Sequence, residues 1–184
     1  MITRFWKDRT FRFLSLFLSL FLLLYYFCLG YIGIVAPGGY YSPFLAEHLN
    51  FIEGLRYLLM QSSATILRSL GFQVFTTDIW LRAVGRGGII LAYECLGYGV
   101  MSFFTAFVIA YPRPFKSKLW FLPAGLLLIQ SLNVLRFVLL SLYWKHTDLR
   151  ESIDHHDFFN IILYLVLLVV LYGWTNKKDE RELP

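Results

Sequence analysis

The stretch that decides the fold is AYECLGYGVMSFFTAFVIAYP (Ala92–Pro112), where a cysteine precedes a long apolar run that ends at Tyr-Pro. A second apolar run contains an arginine, in NVLRF (Asn133–Phe137), and a third follows HHD (His155–Asp157). If these runs are helices that cross a membrane, the thiol, the guanidinium and the imidazoles can meet at one face. The rest of the chain decides whether they do.

The composition indicates a membrane protein. The chain has 184 residues, of which 58% are hydrophobic, and its mean hydropathy is +0.58, which is too apolar for a soluble domain of this size. Long segments carry almost no charge, as expected of several membrane spans. The sequence therefore predicts an all-α integral membrane bundle that forms a single membrane domain over residues 1–184.

Four apolar runs are long enough to cross the hydrocarbon core at roughly 1.5 Å of rise per helical residue. The spans are predicted at about 13–35, 95–111, 119–143 and 158–174. The long connection at 36–94 is predicted to lie outside the cytoplasm.

Within that connection, apolar residues recur at helical spacing over Pro43–Leu70, but many charged residues interrupt them. An amphipathic helix on the membrane surface or over the bundle mouth fits this pattern. A tilted crossing is the alternative, and it would reverse the orientation of the following spans. Further on, β-rich residues flank the glycine turn Gly85–Gly88, which predicts a small extracytoplasmic β-hairpin.

The distribution of basic residues predicts the topology. Residues 1–12, 112–118 and 175–184 hold ten of the seventeen Lys and Arg, although the opposite loops are more than twice as long. By the positive-inside rule, this multi-pass protein of the plasma (inner) membrane has both termini in the cytoplasm. The net charge of +5 reflects this topology, and no nucleic-acid partner is predicted.

The predicted spans place the reactive residues at one level. Cys95 opens the second span, and Arg136 lies about 17 residues into the third, roughly 25 Å from its start. His155 and His156 precede the fourth span. Since successive spans alternate in direction, all four residues reach the same boundary, which the topology places outside.

This set of residues is sufficient for acyl transfer from a peptide bond. A thiol attacks as its thiolate, which a neighbouring imidazole and a fixed positive charge both favour. The imidazolium can then protonate the leaving amine, and Arg136 can hold the substrate carbonyl or stabilise an oxyanion. Asn133 shares the helix face of Arg136 and could position it.

Other interpretations of these residues remain open. Arg136 could be a snorkelling anchor, although an arginine among apolar neighbours is costly without a partner or a task. His155 and His156 could be interfacial residues or weak metal ligands, and Asp154 and Asp157 could orient a histidine or be solvated. Because the two cysteines, Cys28 and Cys95, form no CxxC pair, no metal site or cofactor is predicted.

At these residues the chain resembles the exosortase/archaeosortase family, as a compact bacterial member. Cys95-Leu96-Gly97 is similar to the family's Cys-Ser-Gly-like motif, although Leu96 stands where many members have serine. Asn133-Val134-Leu135-Arg136 matches its Asn-x-x-Arg motif. His156, with Asn160 four positions on, matches its histidine motif.

The resemblance implies the roles of these residues and the reaction. Cys95 would be the nucleophile, Arg136 the residue that binds the substrate or the oxyanion, and His156 the acid/base, with His155 as the alternative. Asn133 and His155 are the expected substrate-binding residues. The family's substrates are exported proteins with a C-terminal sorting signal, which are cut near a short motif and joined to a cell-envelope acceptor.

Two other functions are kept as alternatives. A non-catalytic membrane assembly factor or transporter-accessory protein would not need Cys95. A membrane thiol-redox protein would need a resolving cysteine, and Cys28 inside the first span could not easily reach Cys95.

Overall fold

The computed structural model describes residues 8–36, 41–143 and 152–177, and over 152–158 it describes the course of the helix alone. The chain divides into two compact units, residues 1–144 and 145–184, and each is described by itself. The single membrane domain expected over 1–184 stays a prediction.

The described part of the first unit contains five α-helices, three short strands and a 3₁₀ turn. In chain order they are α1 (Arg9–Val35), α2 (Pro43–His48), α3 (Phe51–Ser69), β1 (Val74–Thr76), β2 (Trp80–Ala83), β3 (Gly88–Ile90), the 3₁₀ turn (Tyr93–Leu96), α4 (Tyr98–Ala110) and α5 (Phe115–Tyr143). The second unit contains α6 (Ser152–Asn176).

Four helical segments of the described chain are long and apolar enough to cross a membrane. They are Arg9–Val35, Tyr93–Ala110, Phe115–Tyr143 and Phe159–Asn176. This confirms the prediction of an all-α membrane bundle with about four spans.

An aromatic interface joins α1 to α4. Near one end, the rings of Phe13 and Phe107 meet edge to face with centroids 5.6 Å apart. Near the other end, Tyr25 approaches Tyr98 at 5.7 Å. Low-numbered residues of α1 thus contact high-numbered residues of α4, so the two helices run antiparallel. Edge-to-face and offset ring pairs favour such an interface beyond the area that they bury.

The helices α4 and α5 approach closely at a glycine. The ring of Phe104 lies directly over Gly125, where an added Cβ would overlap it, and it also contacts Phe121 at 5.4 Å between centroids. Phe104 is fully buried. Gly125 therefore provides the space that this large side chain needs between the two spans.

The predicted amphipathic helix over 43–70 is present as two helices. The break falls at Leu49–Asn50, and the Asn50 side chain caps α3 by accepting a hydrogen bond from the backbone N–H of Glu53 at 3.0 Å. One face of α3 is buried, including Ile52, Leu59 and Leu67, and the helix is not among the four candidate spans. Gly71 ends α3 with a positive φ of 88°.

The predicted hairpin corresponds to β2 and β3, which pair antiparallel around the glycine turn. The structure adds β1, which the sequence reasoning did not predict, on the other side of β2. In β2, Leu81 and Ala83 are buried while Trp80 and Arg82 are exposed. This alternation packs one face of the sheet against the helices α3 and α5 of the same unit.

The main hydrophobic core lies at one end of the first unit, where α3 and the sheet pack against α5. Its buried residues are Val35, Ile52, Leu59, Met60, Ala64, Leu67, Leu81, Leu91, Leu96, Phe137 and Val138. Tyr93 and Cys95 pack against this core, and Leu96 belongs to it. The turn that carries the cysteine is therefore fixed by buried apolar contacts rather than by loop residues alone.

We predict that Gly125→Ala destabilises the protein by about 1–3 kcal/mol, because the new methyl group must displace the Phe104 ring. Thermal denaturation of the detergent-solubilised protein measures the effect. Gly33→Ala, on an exposed face of α1 with no atom within 4 Å of its added Cβ, is the matched control and should be neutral or mildly stabilising. Equal melting temperatures for the two variants would contradict the close approach.

Candidate active site

The cysteine lies in a short 3₁₀ turn between the sheet and α4. After β3, the chain turns so that the backbone N–H of Cys95 donates to the carbonyl of Ala92 at 3.0 Å. Leu96, only 1% exposed, anchors the turn in the core. Gly97 then adopts a left-handed conformation, with φ 74° and ψ 21°, and α4 begins at Tyr98. This conformation is energetically unfavourable for a residue with a Cβ, so glycine is suited to the junction.

The guanidinium of Arg136 lies against the sulfur of Cys95. Its Nη2 donates toward Sγ over 3.7 Å, a contact between residues 41 positions apart in the chain. Arg136 is only 7% exposed, and it lies on α5 among Phe137 and Val138 of the core. A cation held in such surroundings stabilises negative charge beside it more strongly than it would in water.

Two amide side chains of α5, which precede Arg136 on the same helix, also contact the cysteine turn. Gln130 donates through Nε2 to the carbonyl of Leu96 at 3.3 Å, and Asn133 donates through Nδ2 to Oε1 of Gln130 at 3.1 Å. Asn133 is 2% exposed, and a Cβ added to Gly97 would lie 2.7 Å from its Nδ2. The missing side chain of Gly97 thus leaves the space that Asn133 occupies.

A second buried arginine supports the turn from α3. Arg56 forms an ion pair with Glu53 at 2.5 Å and a further bond from Nε to the same carboxylate at 3.1 Å. Its Cζ lies 5.3 Å from the centre of the Tyr93 ring, two residues before Cys95. A cation over an aromatic face is attractive, so α3 contributes to the placement of the turn.

The structure brings together three of the residues that the sequence singled out. Cys95 and Arg136 are in contact, and Asn133 lies one helical turn before Arg136 at the same cysteine turn. His155 and His156 belong to α6, but their side chains lie outside the described residues, as do those of Asp154 and Asp157. Their roles stay predictions.

Cys28 belongs to a different part of the first unit. It lies in α1, and its thiol is close to the Ser102 side chain of α4. Ser102 lies about one turn beyond the start of α4. Both cysteines are free thiols. Within the described part of the chain, no three His, Cys, Asp or Glu side chains are grouped so that they could hold a metal ion.

Comparison with known proteins agrees with the sequence motifs. A family model described as transmembrane exosortase matches residues 9–173. The chain belongs to the transmembrane exosortase family. No curated protein and no solved structure matches it significantly. Membership and the apolar helices together make this exosortase-family protein a multi-pass membrane protein, in a family consistent with the processing of sorting signals.

Sequence reasoning missed two residues of the candidate site. Gln130 lies three residues before Asn133, so both amides share one face of an apolar span. Two polar side chains on one face of a span indicate a polar site, and this spacing could have identified Gln130. Arg56 is one of the charged residues that interrupt the apolar pattern over Pro43–Leu70. Its spacing to Glu53 predicts a helical ion pair, but nothing local to α3 indicates that the pair would meet Tyr93.

We predict that Gly97→Ala alters the reactivity of Cys95 in this exosortase-family protein. Alanine at a positive φ costs about 1–2 kcal/mol, and its methyl group must also displace the Asn133 amide. The rate of alkylation of Cys95 by a small haloacetamide, measured in a Cys28→Ala background, should change several-fold.

Gly71→Ala is the matched control. Gly71 also has a positive φ, of 88°, but no atom lies within 4 Å of its added Cβ. It should therefore lower stability by a similar amount without changing the alkylation rate. Equal alkylation rates for the two variants would show that Asn133 and Gly97 do not hold the turn.

Proposed function

We propose that this protein is a membrane cysteine transpeptidase or endopeptidase that processes the C-terminal sorting signals of exported proteins. The observation that carries the proposal is the contact between the Arg136 guanidinium and the sulfur of Cys95, at the end of the first unit where the main core lies. The family match supports the class of reaction. Sulfur is a strong nucleophile as the thiolate, and the guanidinium is a permanent cation beside it.

The proposed reaction has two steps. In the first, Cys95 Sγ attacks the carbonyl carbon of the scissile peptide bond, a C–S bond forms and the carbonyl oxygen becomes an oxyanion, which Arg136 stabilises. The C–N bond then breaks, and the leaving amine takes the proton that the histidine had accepted from the thiol. His156 is the proposed acid/base, and His155 is the alternative.

The second step returns the enzyme to its starting state. An amine or hydroxyl of a cell-envelope acceptor, or a water molecule, attacks the thioester carbonyl and gives its proton to the histidine. The C–S bond breaks, and the thiol of Cys95 is restored. Gln130 keeps the turn fixed through both steps by its hydrogen bond to the carbonyl of Leu96, and Asn133 supports Gln130 while it packs beside Gly97.

The proposed orientation places this site outside the cytoplasm. Cys95 lies before α4, and the other end of the same helices carries basic residues close to the candidate spans, at Arg9, Arg12, Arg113, Lys116 and Lys118. The positive-inside rule assigns that end to the cytoplasm. A substrate whose apolar helix crosses the bilayer could approach α4 and α5 from the lipid and present its preceding motif to Cys95.

We predict that Cys95→Ala, Arg136→Gln and His156→Gln each lower processing by at least about a hundredfold, because each removes a nucleophile, a charge-stabilising group or an acid/base. The assay co-expresses the protein with an exported protein of the same organism that ends in a short motif, an apolar helix and a basic tail. Cleavage is followed by the size of the substrate, and insertion by the amount of each variant in the membrane fraction.

Cys28→Ala is the matched thiol control and should process normally, since its sulfur lies near Ser102, whereas Arg136 contacts the sulfur of Cys95. His155→Gln, compared with His156→Gln, identifies the acid/base. Undiminished cleavage by a well-inserted Cys95→Ala protein would refute the enzymatic proposal and favour a non-catalytic assembly role.

A further inference from the structure

An open groove of about 700 Å³ lies at the end of the first unit opposite Cys95, between the start of α1 and the end of α4. From α1 it is lined by Arg9, Arg12, Ser15 and Ser19, and from α4 and the loop that follows by Ala110 and Pro112. Its volume is in the range of pockets that hold small organic ligands. The catalytic proposal gives this groove no role.

Two positive charges lie side by side in the groove. Arg9 and Arg12 are three residues apart on α1, so their side chains share one helix face. Neither guanidinium has a hydrogen-bond or ion-pair partner among the described residues. The nearby acid, Asp8, accepts a hydrogen bond from the backbone N–H of Thr10 at 3.0 Å and caps α1. Like charges so placed repel each other, and a bound anion relieves the repulsion.

The shape of the groove distinguishes between kinds of anion. Ser19 lies ten residues after Arg9, so the groove extends roughly 15 Å along α1 from its cationic end toward the middle of the span. Because α1 is a candidate span that begins at Arg9, we expect Arg9 and Arg12 at the membrane boundary, where lipid phosphates lie. Ser15 follows Arg12 by about one turn, and Leu16 and Ser19 extend further toward the acyl chains. A free phosphate ion would occupy only the first part of such a groove.

We propose that this groove binds an anionic phospholipid, with the phosphodiester between Arg9 and Arg12, the Ser15 hydroxyl facing the glycerol esters, and an acyl chain along Leu16 and Ala110. Basic pockets between membrane helices bind anionic lipid headgroups through the same charge pairing. The lipid would join α1 to α4 at the end where Phe13 contacts Phe107 and Tyr111. This proposal does not depend on the catalytic role of Cys95.

The test uses native mass spectrometry of the full-length purified protein with added palmitoyl-oleoyl phosphatidylglycerol or phosphatidylcholine. Wild type should bind the anionic lipid in preference, and Arg9→Gln/Arg12→Gln should weaken that binding roughly tenfold or more. The matched control, Arg113→Gln/Lys116→Gln, removes two positive charges from the same end of the bundle but outside the groove lining. It should bind as wild type does.

Two further measurements make the outcome decisive. Ser19→Phe fills the deep part of the groove and keeps both arginines, so it should also weaken lipid binding. If the double arginine variant does not insert, Ser19→Phe alone tests whether the lipid occupies the groove. Excess glycerol 3-phosphate should not displace the lipid. Equal binding of the two lipids, equal losses in both charge variants, an unaffected Ser19→Phe protein, or displacement by glycerol 3-phosphate would each overturn the proposal.

Discussion

The structure depends on the burial of one charged group, the guanidinium of Arg136, among the apolar helices. Arg136 lies in an apolar helix at 7% exposure, and its side chain reaches the sulfur of Cys95. A charge in such a position is costly unless its surroundings are arranged for it. The arrangement extends outward from this contact: Leu96 fixes the turn in the core, Gly97 leaves space for Asn133, and Gln130 ties the turn to the same helix. The sheet and α3 complete the core around it.

Much of the fold could be predicted from the sequence, because membrane spans are determined by local composition. Local sequence encodes each of these features, because the residues that form it are neighbours in the chain. They are the four apolar runs, the glycine turn between β2 and β3, and the end of α3 at Gly71. The break at Asn50 and the strand β1 were not predicted. The side chain of Asn50 caps α3 and so starts a new helix inside an apolar pattern that looks continuous. The strand β1 is only three residues long, and it is defined by its pairing with β2.

The candidate site could be predicted in part, for a geometric reason. Because α5 runs back alongside α4, it returns to the level at which α4 begins, which was enough to bring Cys95 to Arg136 and Asn133. The sequence could not show which side chains clamp the turn, since Gln130 and Arg56 act on residues far away in the chain. Asn133, expected to bind substrate, is 2% exposed and faces the backbone of Gly97, so its described contacts favour a supporting role. The two histidines lie outside the described side chains.

The central claim is that the sulfur beside Arg136 carries the acyl group during the reaction. Acid quenching of wild-type protein during turnover of its substrate, followed by peptide mass spectrometry, tests this most directly. The account predicts that the peptide containing Cys95 carries the upstream substrate fragment as a thioester and that hydroxylamine removes it. An acyl fragment on Cys28 or another side chain, or full processing by protein whose Cys95 has been alkylated beforehand, would contradict the account.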